Sequence, residues 1–146
     1  MKAKGFTLVE SLVSMGILSF LLLVLYGVLH TGNMIYTNDT TLLEVQQHAR
    51  NGMDRIVREV REASAHTITG GNQISVVTPG GTVVFSLSGT NLVRNAGTAR
   101  NIATNISALS FSASGTLLTI QLTATKSMLG KTATFSLAEE VRLRNE

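Results

Sequence analysis

Apolar and polar positions divide the chain into three stretches with different periodicities. The first is apolar on every side: Phe6 to Leu29 is 24 residues long and carries one charge, Glu10. As a helix it rises about 36 Å, enough to cross a hydrocarbon core about 30 Å thick. It holds no proline, so the helix can be continuous. The second stretch is amphipathic. After the poorly helical "TGNMIYTNDTT" at 31–41, Leu42, Val45, Ala49, Met53, Ile56, Val60 and Ala63 recur at helical spacing. The opposite face carries Gln47, Arg50, Asp54, Arg55, Arg58, Arg61 and Glu62. With Glu59 mixed among the arginines, it reads as a solvated, salt-bridged surface.

The third stretch, 67–146, is rich in Thr, Ser, Gly and Asn and alternates with period two. The apolar sets are Ile74 and Val76; Val83, Phe85 and Leu87; Leu109 and Phe111; Leu118, Ile120 and Leu122; and Ala133, Phe135 and Leu137. Each marks a strand with one buried face. Turn signals at 78–82, 88–91, 112–115 and 128–131 separate them, and the segment 95–105 reads as a loop joining two meanders. About 80 residues bury a modest core, so the amphipathic helix is needed to complete it. The expected class is α+β: a long N-terminal helix packed on an antiparallel sheet domain. Continuing the alternation past Leu137 puts Glu139 on the buried face, which either a bulge or an edge position would resolve.

Charge sets an orientation for the first stretch. Lys2 and Lys4 precede it and no Lys or Arg follows until Arg50. The positive-inside bias then puts the N-terminus in the cytoplasm and the remainder across the membrane. A cleavable secretory signal has a shorter apolar region followed by small residues at the cut. Here the run ends in "VLHTGN", and the small residue, Gly5, lies before it.

The segment "KGFTLVE", residues 4–10, resembles the processing site of type IV pilins and type II secretion pseudopilins. In that family a membrane-embedded prepilin peptidase cuts after a glycine ending a short basic leader. It then methylates the new N-terminal residue, usually phenylalanine, and the fifth mature residue is usually glutamate. The resemblance implies a leader at 1–5, cleavage after Gly5, methylation at Phe6 and an assembly role for Glu10. It implies a membrane half of the helix at 6–30, an amphipathic half at 31–66 and a sheet domain at 67–146. It also implies a bacterial inner-membrane protein with its C-terminal domain periplasmic or extracellular, working with other pilin subunits and an inner-membrane assembly platform. Cleavage would free a cationic amine on Phe6 beside Glu10, and two charges in lipid offset one another's cost. Glu10 is four residues from Phe6, so pairing within one chain is also within reach. The resemblance favours pairing between subunits.

The segment "QQHARNGMDRIVREVREAS", residues 46–64, resembles the minor pilins called PilW and the J-type minor pseudopilins. Departures from major subunits point the same way. There is no cysteine for the disulfide that often closes a major pilin's C-terminal loop. After residue 62 there is no Asp, and only Glu139, Glu140 and Glu146, so the calcium loop common in major pseudopilins has no counterpart. A minor subunit acting at filament initiation or at the tip is the expected function.

No catalytic constellation is expected. His30, His48 and His66 lie 18 residues apart, without carboxylates or cysteines at ligand spacing. No G-x-S-x-G, H-E-x-x-H or P-loop pattern occurs. Neither metal nor cofactor is anticipated. Residues 67–146 hold Arg94, Arg100, Lys126, Lys131, Arg142 and Arg144 against three glutamates, which weakly permits phosphate contact. A filament-displayed module that binds DNA or a surface is therefore one alternative, beside a major pilin subunit, but Phe85, Phe111 and Phe135 all read as buried and unavailable for stacking. The last two alternating segments, "TIQLTATK" and "TATFSLAEEVRLRN", suggest a sheet edge on which another domain could pair, with Lys126, Arg142 and Arg144 as charges that would blunt it.

Overall fold

The computed structural model of the chain describes residues 7–128 and 130–143. It comprises one helix, α1 (Leu8–Glu62), followed by eight strands. These are β1 (Ala65–Thr69), β2 (Gln73–Thr78), β3 (Gly81–Ser88), β4 (Asn91–Asn95), β5 (Ala99–Ala103), β6 (Ile106–Ser114), β7 (Leu117–Met128) and β8 (Lys131–Arg142). The class is α+β, as the periodicities predict. Two compact units divide the chain, the first ending at Thr37 and the second beginning at Asn38.

In the first unit the apolar side chains of α1 are exposed all round, from Leu8 through Leu29. Three hydroxyl groups there bond back to the helix. Ser14 donates to the Glu10 carbonyl at 2.8 Å, Ser19 to Met15 at 2.8 Å and Thr31 to Gly27 at 2.9 Å. Back-bonding of this kind suits a helix in an apolar medium. Thr37 bonds the Asn33 carbonyl likewise at 2.8 Å, within the stretch of poor helix propensity, which is helical throughout.

In the second unit the strands form two antiparallel sheets, ordered β1-β2-β3-β4-β5 and β6-β7-β8. Two-residue loops at Gly89-Thr90 and Gly115-Thr116 close the β3–β4 and β6–β7 hairpins. Each begins with a glycine at φ near 60°, the demand a type II′ turn makes of its first central residue. The two sheets meet at Thr104 and Asn105. The expected loop at 95–105 is therefore mostly strand: β5 occupies its second half, and polar Arg100 and Asn101 hide the alternation. The sheets are also stitched to each other, because the Phe111 amide donates to the Gly71 carbonyl at 2.7 Å and the Ile106 amide to Thr90 at 2.9 Å.

The second part of α1 covers both sheets. Val45, Ala49, Met53, Ile56, Val60 and Ala63 are buried in one cluster with Ile74, Phe85 and Leu92 of the larger sheet and Leu118, Ile120 and Leu122 of the smaller. Leu42, expected on this face, is 38% exposed, and Thr41 is buried in its place. The helix stops at Glu62. The Ser64 amide then donates to Val77 at 2.8 Å, so Ala65 and His66 open β1 and do not extend the helix. Phe135 is half-buried, with the Arg50 guanidinium 5.9 Å from its ring centroid. The pairing of β8 with β7 runs without a bulge, which settles the Glu139 conflict: β8 is an edge strand. Glu139 shares an open cleft with Arg58 and Arg61 there and remains exposed. By contrast β7 is central, so Lys126 does not blunt an edge.

The helix approaches the sheets most closely at Gly52. A Cβ there would lie 2.9 Å from Leu92 Cδ2, 3.2 Å from Ala103 Cβ and 3.5 Å from Leu122 Cδ1. Leu92 can swing aside, but Ala103 is fixed to the β5 backbone. Gly52→Leu is expected to destabilise the second unit by about 1–3 kcal/mol through overpacking. Gly52→Ala should cost less, because the gain of about 1 kcal/mol in helix propensity offsets the crowding. Chemical unfolding of both variants checks the order.

Candidate functional site

The sequence places its site at the start of α1. Gly5 and Phe6 lie outside the described residues. Glu10 is described: it is exposed in the first turn of the helix. Its amide donates to Thr7 Oγ1 at 3.3 Å, and the Ser11 amide donates to the Thr7 carbonyl at 3.1 Å. Thr7 is thus the N-cap and Glu10 the third helical residue, the spacing of a capping box. "TLVE" carries that signal in the sequence, and a reading centred on charge passes over it. A carboxylate here also suits the positive end of the helix dipole. Glu10 therefore has a local structural reason to be present beside any role between subunits.

The second unit places charges where periodicity did not. Glu59, read as part of the solvated face, is instead buried, with 7% of its side chain exposed. Its position one residue before Val60 puts it at the border of the buried stripe. Its Oε1 accepts from Arg94 Nε on β4 and forms an ion pair with Arg55 Nε, one turn earlier on α1, each at 2.7 Å. Those cations offset the cost of burying the carboxylate. No local pattern links Glu59 to Arg94, 35 residues away. Nearer the start of the unit, Lys126 Nζ donates to Glu44 Oε2 at 2.6 Å, and His48 Nε2 lies 3.9 Å from Glu44 Oε1. The Lys126 hydrogen bond, with lesser attraction from its charge and from His48, holds the Glu44 carboxyl below the usual carboxylate range.

The structure does not bring the histidines together into a cluster. His30 stacks on Tyr26, with ring centroids 6.0 Å apart, and His48 lies near Thr104. Among the described residues no three His, Asp or Glu side chains converge as metal ligands would.

The prokaryotic N-terminal methylation motif matches residues 1–26. No curated protein and no solved structure matches the chain. The motif supports a place in the type IV pilin and pseudopilin family, although it covers only the N-terminal part of the chain. Together with the exposed apolar helix it supports a single-pass, membrane-anchored protein.

The Glu44–Lys126 pair has a consequence in acid. Because the folded-state pKa of Glu44 is lowered, the pair contributes stability above the unfolded-state value and loses it as pH falls through the folded-state value. Both groups are partly exposed, so solvent screening limits the effect to roughly 0–1 kcal/mol. Glu44→Gln should therefore lower unfolding stability slightly at neutral pH and leave it equal to wild type once both carboxyl states are protonated. Denaturant titrations across the acid range check this.

Proposed function

We propose that this chain is a minor structural subunit of a type IV pilus or type II secretion filament, acting at filament initiation or at the tip. The observation that carries the reading is the methylation motif at 1–26, whose residues from Leu8 onward lie on an exposed apolar helix. An apolar surface all round a helix needs lipid or other helices to cover it, and a filament subunit moves from one to the other. The role is structural, not enzymatic. Support for a minor subunit comes from the absence of cysteine, from the lack of Asp after residue 62 and from the likeness of residues 46–64 to PilW and J-type subunits. Its partners are then other pilin-type subunits, a prepilin peptidase and the assembly platform of the inner membrane, with the N-terminus cytoplasmic.

Processing follows from this reading. Cleavage falls between Gly5 and Phe6, leaving 146 − 5 = 141 residues with a methylated Phe6 amine. Intact-mass measurement of protein from its native membrane should find that chain. Retention of Lys2 and Lys4 in cells with an active peptidase would contradict the reading.

Glu10 then pairs with the Phe6 amine of a neighbouring subunit. Glu10→Val should leave insertion and cleavage intact, since an apolar residue is cheaper in lipid, and should reduce incorporation into filaments. Glu10→Gln separates this role from capping. Glutamine serves a capping box as well as glutamate does but offers no charge to an amine. Loss of incorporation in both variants supports pairing between subunits. Rescue by Gln assigns Glu10 to the helix cap alone.

A further inference from the structure

Arg55 and Arg94 both meet Glu59 through Nε and at the same oxygen. Among the described residues Oε2 of Glu59 is buried with no partner, so neither guanidinium closes the two-pronged pairing that arginine makes with a carboxylate. Among the described residues the terminal nitrogens of neither arginine make a hydrogen bond. The two side chains line a cavity of about 350 Å³ together with Arg100, Asn51 and Ile102. Arg100 on β5 is the direct cross-strand partner of Arg94 on β4. Like charges at opposed positions repel, and the single Glu59 carboxylate offsets only part of that repulsion. Three arginines against one glutamate leave the cluster at 3 − 1 = +2.

The cavity lies beside an open strand. β5 is the last strand of its sheet, and among the described residues no strand pairs with its outer edge. Ala99, Arg100 and Asn101 are exposed. Free backbone donors and acceptors along such an edge take an added strand. The geometry points to a docking site for an acidic, extended segment of a neighbouring subunit, which adds as a strand to β5 and places a carboxylate among Arg55, Arg94 and Arg100. That the neighbour is a filament subunit rests on the proposed function; the acid-binding edge does not.

A nucleic-acid phosphate would satisfy the same guanidinium forks, but the surroundings favour the acidic strand. Binding of single strands relies on exposed aromatic rings for stacking, and Phe85 and Phe111 are buried. The remaining described cations of the sheet region, Lys126, Lys131 and Arg142, sit on β7 and β8, in the other sheet, and do not continue the cluster as a stripe.

The test is an amide-resolved NMR titration of the full chain in detergent micelles. The probes are a blocked Thr-Glu-Thr-Glu-Thr peptide, its Thr-Gln-Thr-Gln-Thr counterpart, inorganic phosphate and a short DNA duplex. The glutamate peptide should give saturable shifts at the amides of residues 99–103, and the glutamine peptide should not. Arg100→Gln removes an exposed side chain with no partner among the described residues, so the fold is retained. It should weaken the glutamate peptide by roughly two- to fivefold, as loss of an exposed charge pair does. Equal response to both peptides, or no effect of Arg100→Gln, would overturn the proposal. Tighter, saturable binding of the duplex at the same amides would replace the acidic strand with nucleic acid. The same shifts from phosphate alone would reduce the site to an anion pocket without strand addition. A chain that binds the peptide but is never processed would undo the filament reading and keep the site. A processed chain that ignores the peptide would do the reverse.

Discussion

One buried stripe, running from Val45 on α1 to Ala63 just past its end, closes two sheets at once. Neither sheet can cover its own apolar face. The larger presents Ile74, Val76, Val83, Phe85 and Leu92, and the smaller presents Leu109, Phe111, Leu118, Ile120 and Leu122. Each fully buried side chain of this kind contributes roughly 1.5–3 kcal/mol relative to exposure, so losing the helix would remove the cover from both. The tightest part of the contact is at Gly52, where the helix meets β4, β5 and β7 together. The smallest side chain sits where three strands converge, and bulkier Met53 and Ile56 fill the space beside it.

The charges of the second unit follow from the same contact. A stripe wide enough to touch two sheets has borders, and Glu44 and Glu59 stand on them. Each is met by a cation from a strand, Lys126 on β7 and Arg94 on β4. These pairs link the helix to different sheets. They add orientation more than stability, since a partly exposed pair is worth little and a buried one must first repay its desolvation. The first unit obeys the opposite rule. Its side chains are apolar on every side and exposed, and Ser14, Ser19 and Thr31 bond back to the helix. One helix thus carries two kinds of surface, one suited to lipid or neighbouring helices and one suited to sheets of its own chain.

Most of the architecture was legible because its signals are periodic. Six of the seven residues assigned to the helix face, Val45 through Ala63, are buried, and the period-two sets fall on β2, β3, β6, β7 and β8. What escaped was non-local or non-periodic. β1 and β5 are short edge strands with polar residues on both faces, so they show no alternation and read as helix end and loop. Leu42 lies where the stripe leaves the sheets, and nothing in spacing alone tells where packing stops. Glu59 was assigned to solvent because its partner Arg94 lies far along the chain and only the fold joins them. At the N-terminus the family motif is visible in "KGFTLVE", and the capping box is carried by the same letters. The arginine cavity beside β5 could not be read at all, since its residues come from three separate elements.

The dependence of both sheets on one helix is tested most directly by native-state amide hydrogen exchange on the full chain. The account predicts that amides of α1 between Val45 and Val60 share a single opening free energy with those of β3 in one sheet and β7 in the other, because exposing the stripe uncovers both at once. Protection that persists in β3 or β7 after the helix amides have exchanged would mean that a sheet holds its core without the helix, and would contradict it.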